Sequence, residues 1–508
     1  MYQVPDHFSR WTDLVVIGLR GYLTRFGTCH IRPVTRHRYW VLSVQKVQEF
    51  HQHSLSGFNW FCRFKNGAEI TNPKLNVAII GGGLGGLALS IGLLPYRDTL
   101  NITIYEAAPR FAEIGAGIAS GPNAVNALDL ISPDILRGYR KCATFNETRN
   151  HDNAWLTFRY GTGSKSGDGK KLDLIHHVGE RGKTLGDISK MLIREEIRRR
   201  SCVHRARFLD EMAVLIPDGM ARFKKSLVNV EDPEEDDEGL KLTFEDGETV
   251  FADVVIGCDG IKSATRNFVM GNQSIEPKFS NTYAYRAMVP RDVAREAIGD
   301  DLALNGQSYL GYGRYMISYP VEHGNLINFV ALKTTKGVEW DKKNWLMPAT
   351  KEEMASDLEG YEEKLVELVS KFSTGDKWGL FHLPHSQKYF RGRICLMGDA
   401  AHASTPHLGA GSGMAFEDAY VLSRLFEGVK NKTDIQKALE AYDTVRRPRS
   451  QKLLEFSKKA GELISFTHDD FGDDVKRIAD EIDLLYEWVW TYDLEGSLVE
   501  AKRLSGLF

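Results

Sequence analysis

Three stretches of the chain share one pattern, in which a short run of apolar residues ends at a turn rich in glycine or aspartate. The first run, Asn76 to Ile80, leads into six residues of which five are glycine, and then into Leu87 to Leu93 in helical rhythm. The second, Asp253 to Ile256, and the third, Ile394 to Met397, end in the same way. Continuous apolar runs are typical of buried parallel strands, so the pattern predicts an α/β fold with a parallel sheet.

The glycines after the first run carry a specific signal. Gly81, Gly83 and Gly86 fit the G-x-G-x-x-G spacing, which serves a tight turn, the close approach of a pyrophosphate and close helix–strand packing. A second strand, Asn101 to Tyr105, ends at Glu106, where a carboxylate would accept hydrogen bonds from a ribose. A Gly-rich turn alone is weak evidence, but this order of elements predicts a dinucleotide site.

The middle of the chain changes character. From about residue 271 to 385, alternating segments predict a mostly antiparallel sheet, and the chain then becomes largely helical to residue 508. The four strand segments are Tyr283 to Val289, Tyr309 to Arg314, Tyr315 to Pro320 and Asn325 to Leu332. The smaller predictions are a surface loop from Phe158 to Asp173, a helix from Asp187 to Arg200, a hairpin of Leu240 to Phe244 with Thr249 to Ile256, and a helix from Gly411 to Phe426.

Composition narrows the class of protein. A chain of 508 residues with a net charge of −3 has room for two or three domains and shows no basic stripe for nucleic acid. The six cysteines form no C-x-x-C and no metal-ligand spacing, which predicts reduced thiols, no metal site and a cytoplasmic protein. No window is apolar enough for a membrane span.

Residues 1 to 74 stand apart from the rest. They are rich in Arg, His, Trp and Phe and show no clean period. Three interpretations compete: a transit peptide, a loosely ordered extension, or untranslated sequence included in error. Asp6 and Asp13 argue against the transit peptide, since such segments are poor in acids.

Taken together, the motifs resemble the group A flavoprotein aromatic hydroxylases, which are single-component FAD-dependent monooxygenases, and within them the fungal salicylate-hydroxylase-like branch. The resemblance runs from about Leu75 to Val499. It rests on the three strand-turn segments and on motifs shared with that branch. These are Gly398-Asp-Ala-Ala-His-Ala-Ser-Thr-Pro-His407 followed by Gly409-Ala-Gly411, Glu113-Ile-Gly-Ala-Gly-Ile118 with Pro122-Asn123, and Tyr442-Asp-Thr-Val-Arg-Arg-Pro-Arg449.

The resemblance implies a Rossmann-like, discontinuous FAD-binding domain, an antiparallel substrate sheet and a helical C-terminal region. The implied boundaries are an extension to residue 74, FAD-binding parts at 75–270 and 386–440, a substrate domain at 271–385 and helices at 441–508. The implied FAD-binding residues are Gly81, Gly83, Gly86, Glu106, Gly117, Asp259, Asp399, Gly409, Gly411 and Gly413.

One family feature is absent from its expected place. Relatives carry His-Arg-x-x-Leu at the start of the helix near residue 187, and its arginine contacts FAD. Leu185 stands there in this chain, with Arg181 or Lys183 as substitutes.

The substrate candidates are His407, Tyr285 and Arg286. The resemblance places His407 next to the flavin, where a histidine titrating near neutral pH could deprotonate a phenol. A structural histidine in a turn is an equal alternative. Arg286 could bind a carboxylate in bidentate fashion, contact the flavin or belong to a surface pair.

The implied reaction is hydroxylation of a small aromatic substrate, a salicylate-like phenolic acid, with NADH or NADPH and O2 through a flavin C4a-hydroperoxide. The alternatives are tailoring or epoxidation of a secondary metabolite, and a flavin-binding protein without hydroxylase activity, which the missing arginine motivates. A monomer and a homodimer both fit the sequence.

Overall fold

A computed structural model describes residues 29–33, 40–44, 73–112, 117–148, 151, 154–179, 201–232, 239–273, 275–335, 337–341 and 344–508. The chain separates into two compact units, Met1–Asn72 and Pro73–Phe508. In the first unit, strands β1 (Cys29–Pro33) and β2 (Trp40–Val44) form an antiparallel pair. The predicted helix from Asp187 to Arg200 and the position of Leu185 lie outside the described residues.

The second unit contains four sheets and thirteen described α-helices. Its strands are β3 (Leu75–Ile80), β4 (Leu100–Glu106), β5 (Gly117–Ser120), β6 (Thr144–Phe145), β7 (Leu156–Tyr160), β8 (Leu174–Val178), β9 (Ser201–His204), β10 (Ala221–Phe223), β11 (Leu227–Glu231), β12 (Leu240–Phe244), β13 (Thr249–Ala252), β14 (Val254–Gly257), β15 (Lys278–Pro290), β16 (Gln307–Gly311), β17 (Arg314–Val321), β18 (Leu326–Thr334), β19 (Leu346–Pro348), β20 (Ser373–His382), β21 (Phe390–Arg391) and β22 (Ile394–Leu396). Its helices are α1 (Leu84–Leu93), α2 (Pro122–Ile131), α3 (Pro133–Cys142), α4 (Arg205–Ala213), α5 (Thr265–Met270), α6 (Arg291–Ala303), α7 (Lys351–Asp357), α8 (Glu363–Phe372), α9 (Asp399–His402), α10 (Gly411–Leu425), α11 (Lys432–Ile464), α12 (Val475–Trp490) and α13 (Leu494–Ser505).

The three apolar runs meet in one sheet. Its order is β10-β4-β3-β14-β22-β21, and all neighbours are parallel except the edge pair β21–β22. The central strand β3 is buried over most of its length because helices pack against it, and this explains its continuous apolar sequence. The turns that follow β3, β14 and β22 therefore lie at the same edge of the sheet, as the α/β prediction requires.

The second large sheet has eight strands in the order β19-β20-β15-β18-β17-β16-β7-β8. It is antiparallel except for the β16–β7 pair, and its four predicted strand segments are all present. Four of its strands were not among the predicted segments, namely β7, β8, β19 and β20. β7 and β8 come from far upstream, and β7 occupies the start of the predicted Phe158–Asp173 loop, so that loop prediction is wrong for residues 158–160.

Two other predictions need adjustment. The hairpin consists of β12 and β13 only, because Val254–Gly257 leaves it to pair with β3 and β22 in the parallel sheet. The boundary expected at residue 440 falls inside α11, a helix of 33 residues. The helix predicted to begin at Gly411 is confirmed as α10.

Apolar side chains pack on both faces of the eight-stranded sheet. One face contacts α11 and α12, and the other contacts α6, α7 and α8. No helix in the described part of the chain is long and apolar enough to cross a membrane.

Candidate active site

A cavity of about 360 Å³ lies between the turns of the parallel sheet and one face of the eight-stranded sheet. This volume is in the range of pockets for small molecules and cofactors. One wall is backbone-rich and is formed by the residues Gly83–Gly85, Cys258, Gly260, Met397–Asp399, Gly409, Gly411 and Ser412. The other wall consists of side chains from β15, β17, β18 and β20, and Trp155 and Tyr486 also line the cavity.

The first glycine loop is built so that side chains are excluded. Gly81 has φ +101°, and a Cβ there would lie 2.5 Å from the carbonyl oxygen of Cys258. A Cβ on Gly86 would lie 2.1 Å from the carbonyl oxygen of Gly81. These two glycines therefore make the turn and the helix–strand contact, while Gly83, at the N-cap of α1, lines the cavity.

Glu106 ends β4 beside this loop. Its carboxylate accepts hydrogen bonds from the backbone N–H groups of Gly82 at 2.6 Å and Ala108 at 2.7 Å. Each oxygen keeps a further lone pair, because an ionised carboxylate can accept about four hydrogen bonds. The position and the remaining acceptors are those expected of a ribose-binding carboxylate.

The predicted cofactor residue Asp259 serves a different local purpose. Its carboxylate accepts hydrogen bonds from the hydroxyl of Ser263 at 2.6 Å and from the backbone N–H and hydroxyl of Thr265, both at 3.0 Å. It therefore caps the turn that leads into α5, and among the described residues its neighbours Cys258 and Gly260 line the cavity while it does not.

The Gly398–Asp399 turn is held from below by a buried acid. Asp418 of α10 accepts hydrogen bonds from the backbone N–H of Gly398 at 3.1 Å and, on its other oxygen, from Arg446 at 2.8 Å. Its carboxylate also lies 2.6 Å from Nε2 of His402. The structure thus supports the interpretation that His402 holds the loop, whereas Asp399 is exposed to the cavity.

A second ion pair extends this network. Glu417 lies 2.8 Å from the guanidinium of Arg446 and 3.3 Å from that of Arg449, and it accepts a hydrogen bond from Asn123 at 2.8 Å. Arg449 also donates to the backbone carbonyls of Trp488 and Val489 at the end of α12. The Tyr442–Arg449 motif is therefore the structural tie between α10, α11 and α12. The term "buried ionic network" is used below for Glu417, Asp418, Arg446, Arg449 and His402.

The charge state of the network follows from its geometry. Burial would raise the pKa of Asp418, but the charges and hydrogen bonds of His402 and Arg446 outweigh it and lower that pKa to about 2. The pKa of Glu417 is lowered as well. Its burial would raise that pKa, but the charges of Arg449 and Arg446 outweigh the burial. Both acids are ionised throughout the physiological pH range.

An arginine that the sequence reading missed also lines the cavity. Arg205 is the first residue of α4 and follows His204, with Phe208 where the family motif has leucine. Burial lowers the pKa of its guanidinium, and the nearby charge of Asp399 opposes that shift. The expectation that the motif arginine is missing is therefore wrong. The signal was present in the His-Arg pair directly after the apolar strand β9.

The sheet wall is organised in rows across three strands. Strand pairing aligns Ala284 with Leu332 and Tyr315, and it aligns Arg286 with Val330 and Ile317. The third row pairs Asn328 with Tyr319. All of these side chains line the cavity, since alternate residues of a strand face the same side.

This alternation separates two of the predicted substrate residues. Arg286 lines the cavity, whereas Tyr285 points to the opposite face, where its buried hydroxyl donates to Asp357 at 2.6 Å. The placement of Tyr285 in a substrate pocket is therefore wrong. The Arg286 guanidinium lies 4.8 Å from the ring centroid of Trp378, its buried Nε has no hydrogen-bond partner among the described residues, and burial lowers its pKa.

His407 lines the cavity but is not the free base that the sequence suggested. Its Nδ1 lies 2.6 Å from the hydroxyl of Tyr315, and its ring packs against Gly461 of α11, where a Cβ would lie 2.6 Å away. Burial lowers the pKa of His407 to about 4, so the imidazole is neutral at physiological pH. A histidine that titrates near neutral pH is therefore excluded here.

The remaining predicted glycines divide by position. Gly117, Gly409 and Gly411 line the cavity, and a Cβ on Gly117 would lie 2.6 Å from the ring of Tyr319. Gly413 instead allows α10 to pack on α2, since a Cβ there would lie 3.1 Å from Ala124. The N-terminus of α10 opens on the cavity at Gly411, which favours an electron-rich group there.

These features fit a flavin dinucleotide: a turn without side chains, a carboxylate at the end of β4, and an acid and an arginine facing one cavity. Within the described residues no cluster of acids, histidines and cysteines could hold a metal ion, and Cys142, Cys258 and Cys395 are free thiols.

Comparison with known proteins gives the same picture. Residues 206–457 match a family described as an FAD binding domain. The chain is 39% identical to the 6-methylsalicylate 1-monooxygenase of Aspergillus terreus, over 85% of this chain and 92% of that protein. It is 33% identical to a salicylate hydroxylase of Pseudomonas putida, over 87% and 97% of the two chains. A solved salicylate hydroxylase substrate complex superposes with a TM-score of 0.72 and 31% identity, covering 84% of this chain and 98% of that one.

The buried ionic network yields a stability prediction. Asp418→Asn leaves Arg446 and His402 without their charged partner, so we expect the free energy of unfolding to fall by about 3 kcal/mol at pH 7. Because the folded pKa of Asp418 is below its unfolded value of about 3.9, the ionic contribution is present above that value and is lost as the pH falls toward 2. Urea unfolding at pH 7 and at pH 3 should therefore show a smaller difference between wild type and variant at the lower pH.

The matched control is Asp129→Asn, the same change at an exposed position of α2. It should alter the free energy of unfolding by less than about 0.5 kcal/mol at both pH values. Equal effects of the two substitutions would contradict the structural role given to Asp418.

Proposed function

This chain belongs to the FAD-dependent aromatic-ring monooxygenases, and we propose that it hydroxylates a phenolic acid of the salicylate type with NAD(P)H and O2. The observation that carries the substrate class is Arg286, a guanidinium that lines an otherwise largely apolar wall with a buried, unpartnered Nε. A cation in such a place requires an anionic partner, and a benzoate carboxylate can accept two parallel hydrogen bonds from it.

The parallel sheet is the proposed FAD-binding part and the eight-stranded sheet the proposed substrate-binding part. Glu106 would hold the adenosine ribose, Asp399 the ribityl chain, and Gly83 would allow the pyrophosphate to approach the N-terminus of α1. Arg205, which lies near Asp399, would contact the bound cofactor from the other side of the turn. When bound, FAD supplies the transfer of electrons from NAD(P)H to O2 and of one oxygen atom to the ring.

The sheet wall would position the substrate ring. Apolar side chains such as Val330 and Leu332 exclude water from one side, and the backbone-rich wall with its cofactor covers the other. Arg286 would fix the carboxylate and so set which ring carbon faces the reacting oxygen. This positioning replaces the search in solution for a productive geometry, and orientation of this kind makes a large contribution to rate.

The Tyr315–His407 pair would act on the phenol side of the ring. His407 is neutral, so its Nδ1 can accept a hydrogen bond from the Tyr315 hydroxyl, and the Tyr315 oxygen can then accept a hydrogen bond from a substrate hydroxyl. The pair would hold the phenol proton through a hydrogen bond, with no free histidine base at neutral pH. The alternative of a flavin protein without hydroxylase activity was motivated by a missing motif arginine. Because Arg205 lines the cavity, that motive no longer applies.

Arg286 gives the direct test of substrate class. Arg286→Lys and Arg286→Ala should raise the KM for a phenolic acid by about 10-fold to 100-fold, since a charge-assisted hydrogen bond contributes about 1.5–3 kcal/mol. The KM for a phenol without a carboxylate should change by less than about 3-fold, because nothing then pairs with the guanidinium. The measurement is substrate-stimulated NAD(P)H oxidation, with flavin absorbance as the control for cofactor content. An equal loss for both substrates would contradict the carboxylate role.

His407 gives the test of the phenol side. His407→Ala and Tyr315→Phe should retain FAD but lower the ratio of hydroxylated product to NAD(P)H consumed, because a poorly held ring reacts slowly and the reducing equivalents end as hydrogen peroxide. Because the pKa of His407 is about 4, the wild-type pH–rate profile should show no histidine limb between about pH 6 and 7. An unchanged product ratio in both variants would assign the pair a purely structural role.

A further inference from the structure

Asn328 is a buried polar side chain that the function described so far does not use. It lies on β18, is 3% exposed and lines the cavity. Within the part of the chain that the structure describes, its carboxamide has no protein hydrogen-bond partner, and the residue lines the cavity, where a bound molecule can reach it. Buried amides are nearly always hydrogen-bonded, because an unmade hydrogen bond inside a protein costs free energy.

The neighbours of Asn328 explain why no protein group satisfies it. Across the strand pair, the hydroxyl of Tyr319 donates to the backbone carbonyl of Gly117 at 2.9 Å and so is already engaged. The next cavity-facing residue on the same strand is Val330, which is apolar. Tyr319 therefore has no proton left to donate to the carboxamide, and Val330 has no polar group.

Asn328 is also a diagonal neighbour of Arg286. Strand pairing sets Arg286 opposite Val330 and Met288 opposite Asn328, so the two polar residues are offset by one step on the same face of adjacent strands. Side chains in that relation lie about 7–8 Å apart at the backbone and are within reach of a common partner. The sheet wall thus presents a guanidinium and a carboxamide side by side, both without a partner for every polar atom.

We infer that Asn328 is a specificity-determining residue, which hydrogen-bonds the ring hydroxyl adjacent to the carboxylate that Arg286 holds. The inference rests on the proposed function and assigns the residue that recognises the ring hydroxyl of the salicylate-type substrate. A carboxamide both donates and accepts, so it can bind a phenol oxygen or a phenol proton. In the ortho isomer the two oxygen-bearing groups are on neighbouring ring carbons, as the two side chains are on neighbouring strands.

The position of Asn328 favours the substrate over the cofactor. It belongs to the sheet wall, with Arg286 and Val330, whereas the glycine turns and Asp399 that suit FAD form the opposite wall. In a substrate ring held between the two walls, the substituents would contact Asn328 and the flat face of the ring would lie against the cofactor. Removing the carboxamide should therefore change substrate selection and leave FAD content unchanged.

The test compares Asn328→Leu, which keeps the branched shape and removes both hydrogen-bonding groups, with Asn328→Ser, which keeps a hydroxyl. Dissociation constants for salicylate, 3-hydroxybenzoate, 4-hydroxybenzoate and benzoate are measured on the FAD-loaded enzyme from the change in flavin absorbance. The matched control is Asn229→Leu on β11, a strand of the separate three-stranded sheet, where the same change should leave all four constants within about 2-fold.

Wild type should bind salicylate at least about 10-fold more tightly than benzoate, because the site is built to hydrogen-bond the hydroxyl. Asn328→Leu should weaken salicylate by about 10-fold to 100-fold and benzoate by less than about 3-fold, with FAD content unchanged. Asn328→Ser should retain part of the preference for salicylate over benzoate, because serine keeps one hydrogen-bonding group. If the Leu variant does not fold, the Ser variant alone tests the inference.

Three results with the variants would overturn the inference. Equal weakening of salicylate and benzoate would make Asn328 a general packing residue, and loss of FAD would make it a cofactor residue. Unchanged salicylate binding in both variants would mean that a residue other than Asn328 hydrogen-bonds the ring hydroxyl. A wild-type enzyme that responds to none of the four acids would instead overturn the proposed function, and with it this inference. An enzyme that responds to the acids with no preference for the ortho isomer would overturn the inference alone.

Discussion

The buried ionic network fixes the geometry on which the site depends. Asp418 reaches the backbone N–H of Gly398 and the side chains of His402 and Arg446, so one carboxylate holds the turn after β22 and ties α10 to α11. Buried charges of this kind are costly to assemble and very costly to break, since loss of one partner leaves the other uncompensated. The turn carrying Asp399 therefore has one well-defined position. A displacement of about 1 Å in such a loop is enough to spoil the alignment of reacting groups.

The cavity arises where two sheets with different chemistry face each other. The parallel sheet contributes turns in which backbone replaces side chains, because glycines such as Gly81 and Gly86 leave no room for a Cβ. The eight-stranded sheet contributes side chains in register, with Arg286 and Asn328 among apolar neighbours. A flat cofactor suits the first wall and a substituted ring suits the second. The difference between the two walls follows from the topology of the two sheets.

The sequence predicted what is local and missed what depends on register or distance. The strand–glycine–helix units were predictable because their signals lie within a few residues of each other. The side of the sheet to which Tyr285 points was not predictable. Its strand is buried on both faces, so the sequence shows no alternation of apolar and polar residues that would assign a side. The same limit hid β7 and β8, whose parallel partner β16 lies about 150 residues further along the chain. Asp259 looked like a cofactor ligand, and its use as a cap became evident only from its contacts with Ser263 and Thr265.

The buried ionic network was equally hidden, because Asp418 and Arg446 are 28 residues apart on different helices. Arg205 was not predicted for a different reason: the resemblance implied the family motif near residue 187, whereas the His-Arg pair consists of the last residue of β9 and the first residue of α4. The proposed reaction is the insertion of one oxygen atom from O2 into an ortho-hydroxybenzoate. It is tested most directly by mass spectrometry of the product formed from salicylate and NAD(P)H under isotopically heavy O2. The account predicts a hydroxylated product that carries one heavy oxygen, with one NAD(P)H consumed per product in the fully coupled reaction. A product without heavy oxygen, or NAD(P)H oxidation that yields only hydrogen peroxide with every phenolic acid, would contradict it.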